Sequence, residues 1–108
     1  MGYYTHFKIT VPKEAGITEE ILEKASGGYG FEEYKDGTFV SADNYKWYEH
    51  TEDMKKLSAD PKYKDIVFTV EGEGEEAGDV WKAYYKNGKS VTHRVEFVFP
   101  DFKDEDLE

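Results

Sequence analysis

Polar and apolar positions alternate along residues 3–11, where Phe7, Ile9 and Val11 share one face. That is the pattern of a half-buried strand, and Pro12 stops it. At residues 18–26 the spacing turns helical. Thr18 suits the N-cap, Glu19 and Glu20 suit the positive end of the helix dipole, and Gly27-Gly28 ends the helix, leaving Ile21, Leu22 and Ala25 as a buried stripe. Phe31–Tyr34 and Thr38–Ala42 flank Lys35-Asp36-Gly37 and predict a hairpin. A second helix is predicted over 50–59, with Met54 and Leu57 on one face and Pro61 beyond its end. Tyr63–Val70 reads as a strand in which Ile66, Phe68 and Val70 alternate, and the Gly-rich acidic stretch 71–78 reads as a loop.

The strongest local signal is Asn87-Gly88, the preferred two-residue type I′ turn, between Val80–Lys86 and Lys89–Phe99. A two-residue loop sets the register: Lys86 opposite Lys89, Tyr84 opposite Val91, Trp81 opposite Arg94. Valine content then assigns Val80, Tyr84, Val91 and Val95 to the core face, continued by Phe97 and Phe99. Trp81, Ala83, Tyr85, Thr92, Arg94 and Glu96 take the outer face. Lys82 and His93 resist this assignment, since it places them opposite each other on the core face; a bulge or a wet sheet edge would accommodate them.

The order strand, helix, two strands, helix, three strands predicts an α+β fold: an antiparallel sheet with two helices on one face, ferredoxin-like with one or two extra strands. Eight valines against three leucines fit a core of β-branched and aromatic side chains. With 108 residues there is room for one domain, expected over 1–100, with 101–108 as an acidic C-terminal tail.

Charge sharpens the picture. The net charge is −10, from 24 acids and 14 bases. Five acids and no base lie between Glu71 and Asp79. Six acids and only Lys103 lie between Glu96 and Glu108. These two segments carry −5 each, and the rest of the chain balances with 13 acids and 13 bases. Such a chain is not expected to bind nucleic-acid phosphate directly, nor anionic lipid, both of which select basic surfaces. The acidic segments read either as solubilising charge or as an anionic surface aimed at a basic partner.

The sequence singles out no catalytic chemistry. There is no cysteine, hence no disulfide framework and no thiolate ligand or nucleophile. His6, His50 and His93 have no metal-ligand spacing, and no P-loop, GxGxxG or GxSxG motif is present. An EF-hand count from Glu71 puts Glu76 at position six and Lys82 at position twelve, where glycine and glutamate are required. A chain of this size leaves little room for a concave pocket, so a non-enzymatic protein without cofactor or metal is expected. No apolar run approaches a membrane span and no basic-then-apolar leader opens the chain, which with the absence of cysteine predicts a soluble protein of a reducing compartment, the cytoplasm.

Candidate partner-binding residues are Glu71, Glu73, Glu75, Glu76 and Asp79 of the acidic segment, Asp104, Glu105 and Asp106 of the tail, and the trio Trp81, Tyr85 and Arg94, whose residue types dominate interface hot spots. Trp81 opposite Arg94 fits an internal cation–π pair equally well.

The segment Lys46-Trp47-Tyr48-Glu49-His50-Thr51-Glu52-Asp53-Met54, with Leu57-Ser58, Phe68, Gly72-Glu73-Gly74-Glu75, Gly78-Asp79-Val80-Trp81 and Tyr84-Tyr85-Lys86-Asn87-Gly88-Lys89, resembles small phage and mobile-element proteins. More loosely, it is similar to the ferredoxin-like domain of the Api92/YubB-like group. The resemblance covers about residues 45–89. It implies a ferredoxin-like fold and a phage or prophage origin, and it brings no catalytic residues. Together with the charge placement it leads to an expected role: binding and inhibiting a basic, nucleic-acid-handling host protein such as a CRISPR or restriction component. The alternatives are an assembly domain that pairs through sheet edges and a metal-binding or enzymatic domain.

Overall fold

Thr5–Thr10 form strand β1, which is followed by a 3₁₀ turn at Lys13–Ala15 and helix α1 at Glu19–Ala25. Phe31–Lys35 (β2) and Thr38–Ser41 (β3) make the first hairpin, and α2 spans His50–Ser58. A 3₁₀ turn at Pro61–Tyr63 leads to β4 at Phe68–Gly74, β5 at Val80–Lys86 and β6 at Lys89–Arg94. The structure is a computed structural model and describes residues 3–94. The predicted strand positions Val95, Glu96, Phe97 and Phe99 and the tail acids Asp104, Glu105 and Asp106 lie outside the described residues.

The six strands form one sheet in the order β2-β3-β1-β4-β5-β6, with every neighbouring pair antiparallel. Phe7 and Ile9 of β1, Phe31 of β2, Phe39 of β3, Phe68 and Val70 of β4, and Trp81, Ala83 and Tyr85 of β5 point to one face. Leu22 of α1 and Met54 of α2 close the same buried cluster, so both helices cover that face. Among the described residues the other face carries no helix. The α+β class, the single antiparallel sheet and the two helices are as the periodicity predicts. The Thr18 hydroxyl caps α1 by accepting the Ile21 N–H at 3.2 Å.

The Asn87-Gly88 turn sets the predicted register, with Lys86 opposite Lys89, Tyr84 opposite Val91 and Trp81 opposite Arg94. Both turn residues have positive φ, 50° at Asn87 and 78° at Gly88, as a type I′ turn requires. The faces of β5, however, are reversed from the valine-based assignment, and β6 buries neither face, so Thr92 and Arg94 are exposed as expected. Trp81 is 6% exposed and Tyr85 fully buried, whereas Tyr84 and Val91 are exposed, as are Lys82 and His93. Two large rings and a small alanine remove more apolar area from water than the competing set Val80, Lys82 and Tyr84. No bulge is then needed, because Lys82 and His93 pair on the solvent side.

A second correction concerns residues 63–78. The chain through Tyr63–Val67 is a 3₁₀ turn and coil, and β4 begins at Phe68. The strand then runs into the acidic stretch, pairing Glu71, Gly72 and Glu73 with both β1 and β5. Two neighbouring strands saturate its backbone hydrogen bonds, which outweighs the poor strand preference of glycine. Gly72 also has a packing role: it stands opposite Trp81, and the indole lies over its backbone where a Cβ would be.

Gly72→Ala forces the Trp81 ring to move and is expected to cost about 1–3 kcal/mol, the range for overpacking a dense core, measured by urea unfolding. The Tyr85 hydroxyl is buried beside Thr51 without a hydrogen bond of good geometry, and burial raises its pKa. Tyr85→Phe is therefore expected to gain about 1 kcal/mol, because it deletes an unsatisfied buried group and keeps the ring; a loss of that size would show that the hydroxyl has a partner.

Candidate partner-binding site

Residues 75–79 connect β4 to β5 and clasp the start of β1. Glu75 Oε1 accepts the Tyr4 N–H at 2.9 Å, and the Glu76 N–H donates to the Tyr3 hydroxyl at 3.1 Å. The Tyr3 hydroxyl in turn donates to Asp79 Oδ2 at 2.5 Å, and the other Asp79 oxygen accepts from Arg94 at 2.8 Å. The Tyr3 N–H donates to the Tyr48 hydroxyl at 2.7 Å, which ties this clasp to the segment entering α2.

Electrostatics follow from these contacts. The Tyr3 hydrogen bond, helped by Arg94, holds the Asp79 carboxyl below its ordinary range. The same bond raises the Tyr3 phenol, since losing its proton would set an anion beside a carboxylate.

Behind the clasp lies a cleft of about 150 Å³ walled by Tyr3, Tyr45, Trp47, Tyr48, His50 and Trp81, with Asp79 and Arg94 at its polar side. His50 stacks on Trp81 with ring centres 4.6 Å apart and planes 17° from parallel. Trp47 packs edge-on against Phe7 and donates its indole N–H to Asp53 at 2.7 Å. Burial, and then the nearby Arg94 charge, lower the His50 pKa from its ordinary value, with Asp53 opposing them.

Of the acids predicted to face a partner, Glu71 is committed internally. It lies 3.6 Å from Lys8 and 3.9 Å from Lys82 across the helix-free face. Asp79 is likewise committed to Tyr3 and Arg94. Glu73, Glu75 and Glu76 are exposed, and among the described residues no base lies within ion-pair distance of them. Trp81 and Tyr85 are core residues, so neither presents an outward ring. Arg94 is exposed, and its guanidinium goes to Asp79 instead of forming a cation–π pair with the buried Trp81 ring. Asp79, Trp81 and Arg94 thus meet at one cleft beside the acidic turn, and Tyr85 does not. Tyr3, Tyr48 and His50 complete the site without having been singled out. The pairing of β1 with β4 brings Tyr3 to Asp79, and a separate antiparallel bridge between Thr5 and Tyr45 brings Tyr48 and His50 to Tyr3.

The turn also marks one pole of the molecule. β5 spans roughly 20 Å from Val80 to Lys86 at the usual rise per residue. At its far end, Lys86 and Lys89 flank the turn that rests on the last turn of α2, which carries Lys55 and Lys56.

Among the described residues, no three His, Cys, Asp or Glu side chains are grouped to hold a metal ion, and no helix is long and apolar enough to cross a membrane. No family model, curated protein or solved structure matches the chain.

Because folding lowers the His50 pKa, its contribution to stability is complete above the ordinary value of 6.5 and is lost as pH falls below it toward the folded-state value. Asp79, shifted down, adds a second loss below 3.8. Thermal melting between pH 7.5 and 5 is expected to show a falling midpoint in the wild type and a flatter profile in His50→Phe, which keeps a ring on Trp81; equal slopes would remove His50 as the cause.

Proposed function

We propose that this chain is a non-catalytic interaction protein that docks its acidic β4–β5 turn on a basic surface of a host protein and blocks it. The observation that carries the reading is the placement of Glu73, Glu75 and Glu76. They are exposed at one pole with no base within ion-pair distance among the described residues, while lysines gather at the opposite pole of β5. A basic partner is steered toward that pole and repelled from the other, which orients the encounter. The partner of this chemistry is a nucleic-acid-handling protein, such as a CRISPR or restriction component, whose phosphate sites accept the carboxylates. Phage or mobile-element origin and a bacterial cytoplasmic setting belong to the same proposal and rest on the resemblance of residues 45–89. In fold, the proposal takes β1–β4 with α1 and α2 as a ferredoxin-like core, because β2-β3-β1-β4 is an antiparallel run built from a β-α-β-β-α-β chain order. The β5–β6 hairpin extends it.

Edge-to-edge assembly is the weaker reading. The outer edge of β2 is blunted: Glu19 of α1 accepts the Glu33 N–H at 2.8 Å, and a register shift follows at Glu33–Lys35.

The full chain, immobilised and exposed to bacterial lysate in rising salt, is expected to retain a nucleic-acid-handling protein and to release it with salt. The Glu73→Gln/Glu75→Gln/Glu76→Gln variant is expected to weaken retention by at least about tenfold, the effect of removing several steering charges. Retention indifferent to both salt and the triple substitution would refute the docking role.

A further inference from the structure

We infer that the aromatic cleft beside the acidic turn is a seat for one arginine side chain of the partner, and that Arg94 occupies its carboxylate in the unbound protein. This rests on the docking proposal above and assigns it a specific contact.

Three observations converge on a guanidinium. First, the cleft already binds one: Arg94 donates to Asp79 Oδ1 at 2.8 Å. Second, the Arg94 side chain is 68% exposed, so that contact faces solvent and is readily exchanged for an equivalent one. Asp79 itself is less exposed and is fixed from its other oxygen by Tyr3. The acceptor is therefore rigid and the donor replaceable. Third, the walls are rings. Tyr48 is 64% exposed at the cleft, beside Tyr3 and Trp47, and offers its surface to a planar cation. Arginine fits better than lysine, since its weakly hydrated planar fork both stacks on rings and pairs with a carboxylate.

The surrounding field selects the same sign. Glu75 and Glu76 stand on the turn that holds Tyr3 at the cleft wall, so an anion approaching the cleft meets repulsion from both. Among the described residues, the basic groups lining it are Arg94, which the incoming arginine displaces, and His50, whose pKa burial lowers. The exchange breaks one Arg94–Asp79 contact and forms one intermolecular contact. Arg94 is released to solvent with its charge hydrated, so no buried charge is left unpaired.

N-acetylarginine amide serves as the probe, with the neutral isostere N-acetylcitrulline amide as control and the Trp47 and Trp81 indole resonances as readout. The arginine compound is expected to shift both resonances saturably at millimolar concentration, and the citrulline compound is not. Arg94→Ala is expected to bind the probe up to about fivefold more tightly, the factor corresponding to loss of an exposed competing ion pair. Asp79→Asn is expected to lose binding. Should Asp79→Asn also disturb the fold by circular dichroism, Tyr48→Leu gives the second test, since it leaves the Asp79 contacts with Tyr3 and Arg94 in place and removes the ring, with the hydroxyl that accepts the Tyr3 N–H; it too is expected to weaken binding. Equal shifts with citrulline, or an Arg94→Ala protein that binds no more tightly than the wild type, would overturn the assignment. The Glu73, Glu75, Glu76 variant separates the two proposals. If the host protein is retained in a salt- and turn-dependent way while the probe fails to bind, docking through the turn stands and the arginine seat falls.

Discussion

The contact between the Trp81 indole and the bare backbone of Gly72 fixes more of this structure than any other. A side chain at residue 72 would occupy the space the ring fills, so glycine there draws Trp81 to the core face of β5. Side chains alternate along a strand, so this one choice also buries Ala83 and Tyr85 and sends Lys82, Tyr84 and Lys86 to solvent. The buried ring then gives His50 a surface to stack on, and His50 opens α2. Sheet face, helix placement and the wall of the cleft follow from one close approach.

Most elements were legible in the sequence because their signals are local. The Thr18 cap, the Gly27-Gly28 stop, the Asn87-Gly88 turn and the Met54 stripe each act within a few residues. The face of the last hairpin carries conflicting local signals, its valines marking one side as core and its lysines marking that same side as wet. Lys82 and His93 already pointed to the correct answer, since alternation puts Trp81, Ala83 and Tyr85 opposite them. The extension of β4 into Glu71–Gly74 was hidden for another reason: a strand held on both sides tolerates glycine and charge that an isolated segment does not. The site was only partly legible. Asp79 and Arg94 stood out by type, but Tyr3 meets Asp79 across 76 residues of chain and Tyr48 meets Tyr3 across 45, separations that no local pattern encodes.

The structure also revises what the acidic segment is. Its five carboxylates do different work. Glu71 links Lys8 and Lys82 across three strands, Asp79 fixes Tyr3 and Arg94, and one oxygen of Glu75 receives the Tyr4 amide. Charge that looks like a uniform patch in the sequence is divided between holding the turn in shape and facing outward. Ionised groups packed this closely repel one another, and the clasp on Tyr3 and Tyr4 offsets that repulsion with directed hydrogen bonds. A turn held in this way presents Glu76 in a fixed arrangement beside Glu73 at the end of β4, so less conformational entropy is lost when a partner binds.

At the opposite pole, the Gly88 amide donates to the Ser58 hydroxyl at 3.0 Å, and that hydroxyl donates to the Lys55 carbonyl in the last turn of α2. Ser58 is completely buried, so water cannot substitute for either partner. The hairpin tip and the helix end therefore open together or not at all. The two-stranded extension, which as an isolated hairpin would fray readily, is joined to the cooperative unit of the core. The link makes β5 a strut between a clasped acidic end and an anchored basic end, so that a load applied at one pole is carried by the helix layer at the other.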